Sequence, residues 1–227
     1  MTIIQTKLLK KSSMSTSKTE LQISRRERKA KLITYSDTFN PNGMLLGIQQ
    51  QGILGCYRDI LFNIHDQLYS LLSRHSKVFV MRFDFHTNPE EWKEGHFSEL
   101  LKKALPAIKR RYKVRDIIYT WGREIGKNGT PHFHLMLAIN GHKVNYPQKT
   151  HEIFQTHWSR LNQGGIHRAN SHMLTNMVDA NFMNAFYHLS YIAKVYSKDE
   201  QPKRIRSFGG SNLGPFYPPL KGSIHIR

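Results

Sequence analysis

His132 and His134 flank Phe133 in the stretch PHFHLMLAI, residues 131–139. Alternation of Phe133, Leu135, Leu137 and Ile139 predicts a β-strand with one apolar face, which leaves both imidazoles on the other face. Two histidines on one face of a rigid strand make a ready pair of metal ligands. The chain holds 13 histidines, so about one His-x-His pair arises by chance. The pair therefore takes its meaning from what the rest of the chain sets around it.

A third ligand comes from the preceding strand, expected over residues 114–124 (VRDIIYTWGRE) and joined to the histidine strand through the glycine-containing loop IGKNGTP. A symmetric hairpin sets Glu124 opposite His132, where directly paired residues have Cβ atoms about 4.5–5.5 Å apart. The alternation agrees with that register. Ile117, Tyr119 and Trp121 fall on the apolar side, and Thr120, Gly122 and Glu124 on the histidine side. A slip of one residue would turn Glu124 to the wrong face. The strand KVFVMRFDFH, residues 77–86, carries Phe79, Met81, Phe83 and Phe85 on one face and Val80, Arg82, Asp84 and His86 on the other.

A second reactive group lies in residues 181–198, NFMNAFYHLSYIAKVYSK. The spacing of Phe182, Ala185, Phe186, Leu189, Ile192, Ala193 and Tyr196 predicts a helix with a buried stripe. Tyr187, Tyr191, Lys194 and Lys198 align on nearly the opposite side. Tyrosines stacked with lysines suit a phosphate.

These groups need a frame. Helical spacing predicts helices over residues 44–73, 97–112 and 147–162. Pro106 is a candidate kink in the second. That helix also presents Lys102, Lys103, Lys109, Arg110, Arg111 and Lys113, a basic face with no acid among them. A further short strand is expected over residues 173–178. His151, His157, His167 and His172 have no partner legible in the sequence and read as structural or surface residues. Residues 1–40 read as a basic arm, 41–215 as one domain and 216–227 as a tail.

Composition narrows the partners. The formal net charge of +18 over 227 residues points to a polyanion, nucleic acid first. The single cysteine, Cys56, rules out a disulfide or a cysteine-ligated zinc within the chain and fits a reducing cytoplasm. The N-terminal stretch reads as no secretory signal, and no apolar run reaches the length of a membrane span. No membrane partner is expected.

His132-Phe133-His134 followed by Tyr191-Ile192-Ala193-Lys194 resembles the HUH endonucleases, named for their His-hydrophobic-His motif. More closely, VFVMRFDFH, WGRE…GTPHFHLMLAIN, YIAKVYSK and RSFGGS resemble the replication initiators of filamentous phages and their prophage relatives, over roughly residues 75–215. The resemblance implies an α+β domain of HUH type, a central antiparallel sheet with helices on one face and the metal and tyrosine site on the other. It implies Mg²⁺ or Mn²⁺ held by His132, His134 and Glu124, with Asp84 as the alternative third ligand. It implies that Tyr191 attacks single-stranded origin DNA to give a 5′-phosphotyrosine, with Lys194 beside it and Tyr187 as a second tyrosine. Rolling-circle initiation is then the expected function. A transposase, a relaxase or a non-catalytic DNA-binding regulator are the alternatives. No G-x-x-x-x-G-K-[ST] loop is present, so unwinding would fall to a host helicase.

Overall fold

The computed structural model describes residues 32–49, 54–126, 129–195, 205–211 and 213. Four short strands come first. β1 (Ile33–Thr34) pairs with β4 (Cys56–Tyr57), and β2 (Thr38–Phe39) pairs with β3 (Leu46–Gly47). Then follow α1 (Arg58–Leu72), β5 (Val78–His86), α2 (His96–Tyr112), β6 (Ile117–Ile125), β7 (Pro131–Asn140), α3 (Gln148–Leu161), β8 (Ile166–Leu174), α4 (Ala180–Leu189), a 3-10 turn over Ser190–Ala193, and β9 (Phe208–Gly210). The long strands make a five-stranded sheet in the order β8-β5-β7-β6-β9, antiparallel throughout. The fold is α+β, as expected.

The sheet is apolar on both faces, and helices cover both. Phe83, Phe85, Phe133, Leu135 and Leu137 point to α2 and α3, which contribute Phe97, Leu100, Phe154 and Trp158. Phe97 stacks on Phe133 with ring centroids 4.1 Å apart, and Phe85 meets Trp158 edge-on at 5.7 Å. On the other face Val78, Val80, Ile118, Met136 and Ala138 pack against Ile60, Ile64 and Leu68 of α1 and Phe182 and Phe186 of α4. Helices are therefore not confined to one face, which corrects that expectation. The apolar half of the second face has to be sealed from water, and α1 and α4, together with Phe39, Leu46 and Tyr57 of the short strands, seal it.

Local signals explain the main boundaries. The expected helix over 44–73 begins only at Arg58, because Gly55 sits at φ 63° and the segment before it is used in short strands. α2 runs through Pro106 without a break. β8 is longer and earlier than the expected strand at 173–178; Thr175 to Asp179 instead form a turn that ends in an N-cap. The Asp179 side chain accepts the Phe182 N–H at 2.7 Å and starts α4. The helix expected over 181–198 stops at Leu189 and tightens into the 3-10 turn. Lys194 is already extended and bridges to Cys56. The folded domain also begins before the expected boundary at residue 40: Phe39 is buried in the core and Ile33 packs on it. The rest of the basic arm and the 216–227 tail lie outside the described residues. Among those described, no helix is long and apolar enough to cross a membrane.

Candidate active site

Three adjacent strands carry the site on the face shared with α1 and α4. β7 lies between β5 and β6, and the register pairs Asp84 with His134 and His86 with His132 on one side. On the other side Gly122 pairs with His134 and Glu124 with His132. The hairpin register expected from the sequence is the one observed. Gly122 has no side chain to fill the space beside His134, so Glu124 reaches diagonally to that ring.

His134 is buried and held at both nitrogens. Nδ1 lies in hydrogen-bond contact with Asp84 Oδ1 at 2.7 Å, and Nε2 with Glu124 Oε2 at 3.2 Å. Burial pushes the His134 pKa down, but the hydrogen bonds and charges of Asp84 and Glu124 outweigh it and raise the value. Burial likewise pushes Asp84 up, yet the His134 hydrogen bond and charge, followed by Arg82, bring it down to about 2. Arg82 grips Asp84 with two parallel bonds, Nε to Oδ1 at 2.9 Å and Nη2 to Oδ2 at 2.8 Å.

His132 is half-buried, and its pKa is lowered by burial and then by His86 and His134. Its ring lies 4.7 Å from that of His86. His86 is exposed, but its backbone is pinned. Its N–H donates to Gly165 O at 2.9 Å, and its carbonyl accepts from Trp158 Nε1 at 3.2 Å. A Cβ at Gly164 would stand 1.9 Å from that same carbonyl oxygen, so only glycine permits this approach.

Tyr191 enters from the 3-10 turn. Its ring meets the His134 ring edge-on at 4.9 Å. Arg82 lies over the ring at 4.0 Å and the Lys194 ammonium at 3.8 Å. Both cations are buried. The tyrosine is thus clamped between two positive charges, a contact worth about 2 kcal/mol where the cation is desolvated.

The expected residues separate cleanly. The structure brings together His134, Glu124, Tyr191 and Lys194, with His132 at the adjoining position. Asp84 joins through Nδ1 of His134, behind the ring. Tyr187 is not brought in: it is exposed, beside His188 and against Gly47. The two tyrosines do not share a helical face, because the helix ends between them. Lys198 lies outside the described residues. The basic face of α2 is on the opposite side of the sheet. His172, read as partnerless, pairs with His188, Nε2 to Nδ1 at 3.0 Å.

Sequence reasoning gave no role to Arg82 or His86. Strand alternation had already set both on the polar face, and that was the signal available. Among the described residues, no group of three or more His, Cys, Asp or Glu side chains stands in metal-ligand geometry. His134 and Glu124 are nonetheless spaced like neighbouring ligands of one ion. Their 3.2 Å separation is close to the roughly 3 Å between adjacent corners of an octahedron with 2.0–2.1 Å bonds. Asp84 on Nδ1 fixes the ring so that Nε2 is the nitrogen available for ligation, the usual carboxylate–histidine support.

No curated protein and no solved structure matches the chain. Among protein families, the one described as the YagK/YfjJ C-terminal domain matches residues 38–211, from β2 to just past β9. That match spans every element that builds the site, and on it the chain belongs to the YagK/YfjJ C-terminal domain family, a family of prophage-associated proteins.

Proposed function

We propose that this protein nicks and rejoins single-stranded origin DNA as a rolling-circle replication initiator of HUH type, with Tyr191 as nucleophile. The observation that carries the reading is the meeting of two motifs far apart in sequence: the Tyr191 ring stands 4.9 Å from that of His134. Net charge of +18 supplies the attraction for DNA.

A phenol ionises near pH 10, so its oxygen is a weak nucleophile at neutral pH. Arg82 and Lys194 flank the ring and favour negative charge as it develops there. In the cleavage step the Tyr191 Oη–P bond forms and the P–O3′ bond breaks. The phenolic proton ends on the released 3′ oxygen, giving a free 3′-OH. The phosphotyrosine keeps the energy of the broken bond, so the reverse step rejoins the strand. Nε2 of His134, Glu124 and His132 are the residues to hold Mg²⁺ or Mn²⁺. Such an ion supplies Lewis-acid polarisation of the scissile phosphate. Asp84 orients His134 from behind, and Arg82 links Asp84 to Tyr191. The two halves of the site are thereby tied to one another.

A second reading has one observation in its favour. His134 is satisfied at both nitrogens by carboxylates, as a purely structural histidine in a DNA-binding regulator would be. Labelled single-stranded DNA from the element's own genome, run on a denaturing gel, separates the two. The enzyme gives a protein–DNA adduct with Mn²⁺ and none with EDTA or in His132→Ala. DNA binding on a native gel with no adduct over tiled substrates would assign the chain to the regulators.

A further inference from the structure

On the opposite side of the sheet from His134 lies a cavity of about 540 Å³ between α2, the outer edge of β6 and β9. Its walls combine two kinds of group. Trp92, Tyr119 and Trp121 supply half-buried aromatic surface, and Lys102, Arg123 and Arg206 supply positive charge. Among the described residues Glu94 is the one acidic group lining it, and it is engaged by Arg123 Nη1 at 2.6 Å.

Arg123 is unusual. It is 4 % exposed, and its Nε has no hydrogen-bond partner. Its guanidinium lies 5.8 Å from the ring centroids of both Trp92 and Phe133. A buried cation with an unused donor, set among aromatic rings at a cavity wall, is a group that a ligand would complete. Gly209 shapes the same wall. A Cβ there would stand 2.9 Å from three atoms of the Trp121 indole, so β9 comes this close to the ring only with glycine.

We propose that this cavity binds an unstacked nucleobase of single-stranded DNA, with Lys102 and Arg206 taking the adjoining phosphates. Aromatic surface interleaved with cations is the chemistry that holds single strands without reading their sequence. The placement suits a strand that also reaches the candidate active site. Arg123 and Glu124 are neighbours on β6, one facing the cavity and the other facing His134. Only the three-residue β9 lies between β6 and the sheet edge. The inference takes its DNA partner from the proposed function but needs none of the cutting chemistry.

Tryptophan emission reads the cavity directly, because the third tryptophan, Trp158, is fully buried. The titration is done in Tyr191→Phe, so that no strand is cut. Oligo(dT) is compared with an abasic strand of equal length and with thymidine monophosphate. Oligo(dT) is expected to quench the emission, while the abasic strand binds more weakly and does not quench. Trp92→Ala should weaken oligo(dT) binding about 5- to 150-fold and Trp92→Phe much less. Arg206→Ala, an exposed change, should lower the salt slope by about 1. Equal binding of the abasic strand and oligo(dT), or no quenching at all, overturns the proposal. Thymidine monophosphate binding as tightly as the oligonucleotide would overturn the assignment to DNA in favour of a free nucleotide. Quenching in Tyr191→Phe, with no adduct formed by the wild-type chain on any tiled substrate, would leave this site standing and remove only the nicking reading.

Discussion

One face of the sheet has two ends that obey the same alternation and do opposite things. At one end Val78, Val80, Ile118 and Ala138 are sealed under α1 and α4. At the other, the same strands present Asp84, His86, His132, His134 and Glu124. The change occurs across the row of Arg82, Met136 and Thr120. Burial drives the first end, at roughly 25 cal/mol per Å² of apolar area. The second end buries charge, which is tolerated only because each buried group has a partner. A strand pattern thus locates a face. The change of residue type along that face locates the site.

Four substitutions test this division, beginning with the largest effect. Phe83→Ala, beneath the polar end but on the aromatic face, should cost about 3–5 kcal/mol, seen as a lower denaturant midpoint. A cost under 1 kcal/mol would mean that the site does not rest on a sealed layer. Asp84→Asn should leave the fold intact and weaken Mn²⁺ binding about 10- to 100-fold by calorimetry, the usual loss for a supporting carboxylate. Unchanged affinity would detach Asp84 from the metal.

Asp179→Ala removes the N-cap of α4, the helix that seals one end and delivers Tyr191 to the other. It should cost about 1 kcal/mol of thermal stability. Tyr187→Phe, an exposed change, should alter stability by less than about 0.5 kcal/mol and leave adduct formation near wild type. Loss of the adduct in that variant would move the nucleophile out of the His134 cluster.

The sequence made some of this legible for simple reasons. The hairpin register of Glu124 against His132 followed from a symmetric loop and matching alternation, and both are local. α2 followed from an uninterrupted helical stripe. What stayed hidden depended on distant contacts. β8 is an edge strand whose residues, IHRANSHML, are mostly polar and, but for Leu174, exposed or only partly buried, so it lacks the alternation that marks a buried strand. The end of the Tyr191 helix depends on Lys194 pairing with Cys56, a residue far away in the chain. The periodicity through Lys198 gave no hint of it. Arg82 was legible as a polar position, but its double role on Asp84 and Tyr191 exists only once the 3-10 turn is docked. Helices on both faces were equally hidden, because the stripe on α1 says that it is buried and not which side of the sheet buries it.

The central claim is that Tyr191, and not Tyr187, takes the DNA at the His134 cluster. The most direct measurement traps the adduct on single-stranded origin DNA, digests protein and DNA, and locates the nucleotide-bearing residue by mass spectrometry. The account predicts a phosphodiester on Tyr191 that requires Mn²⁺ or Mg²⁺. A nucleotide on Tyr187, or on any residue outside the cluster, would contradict it.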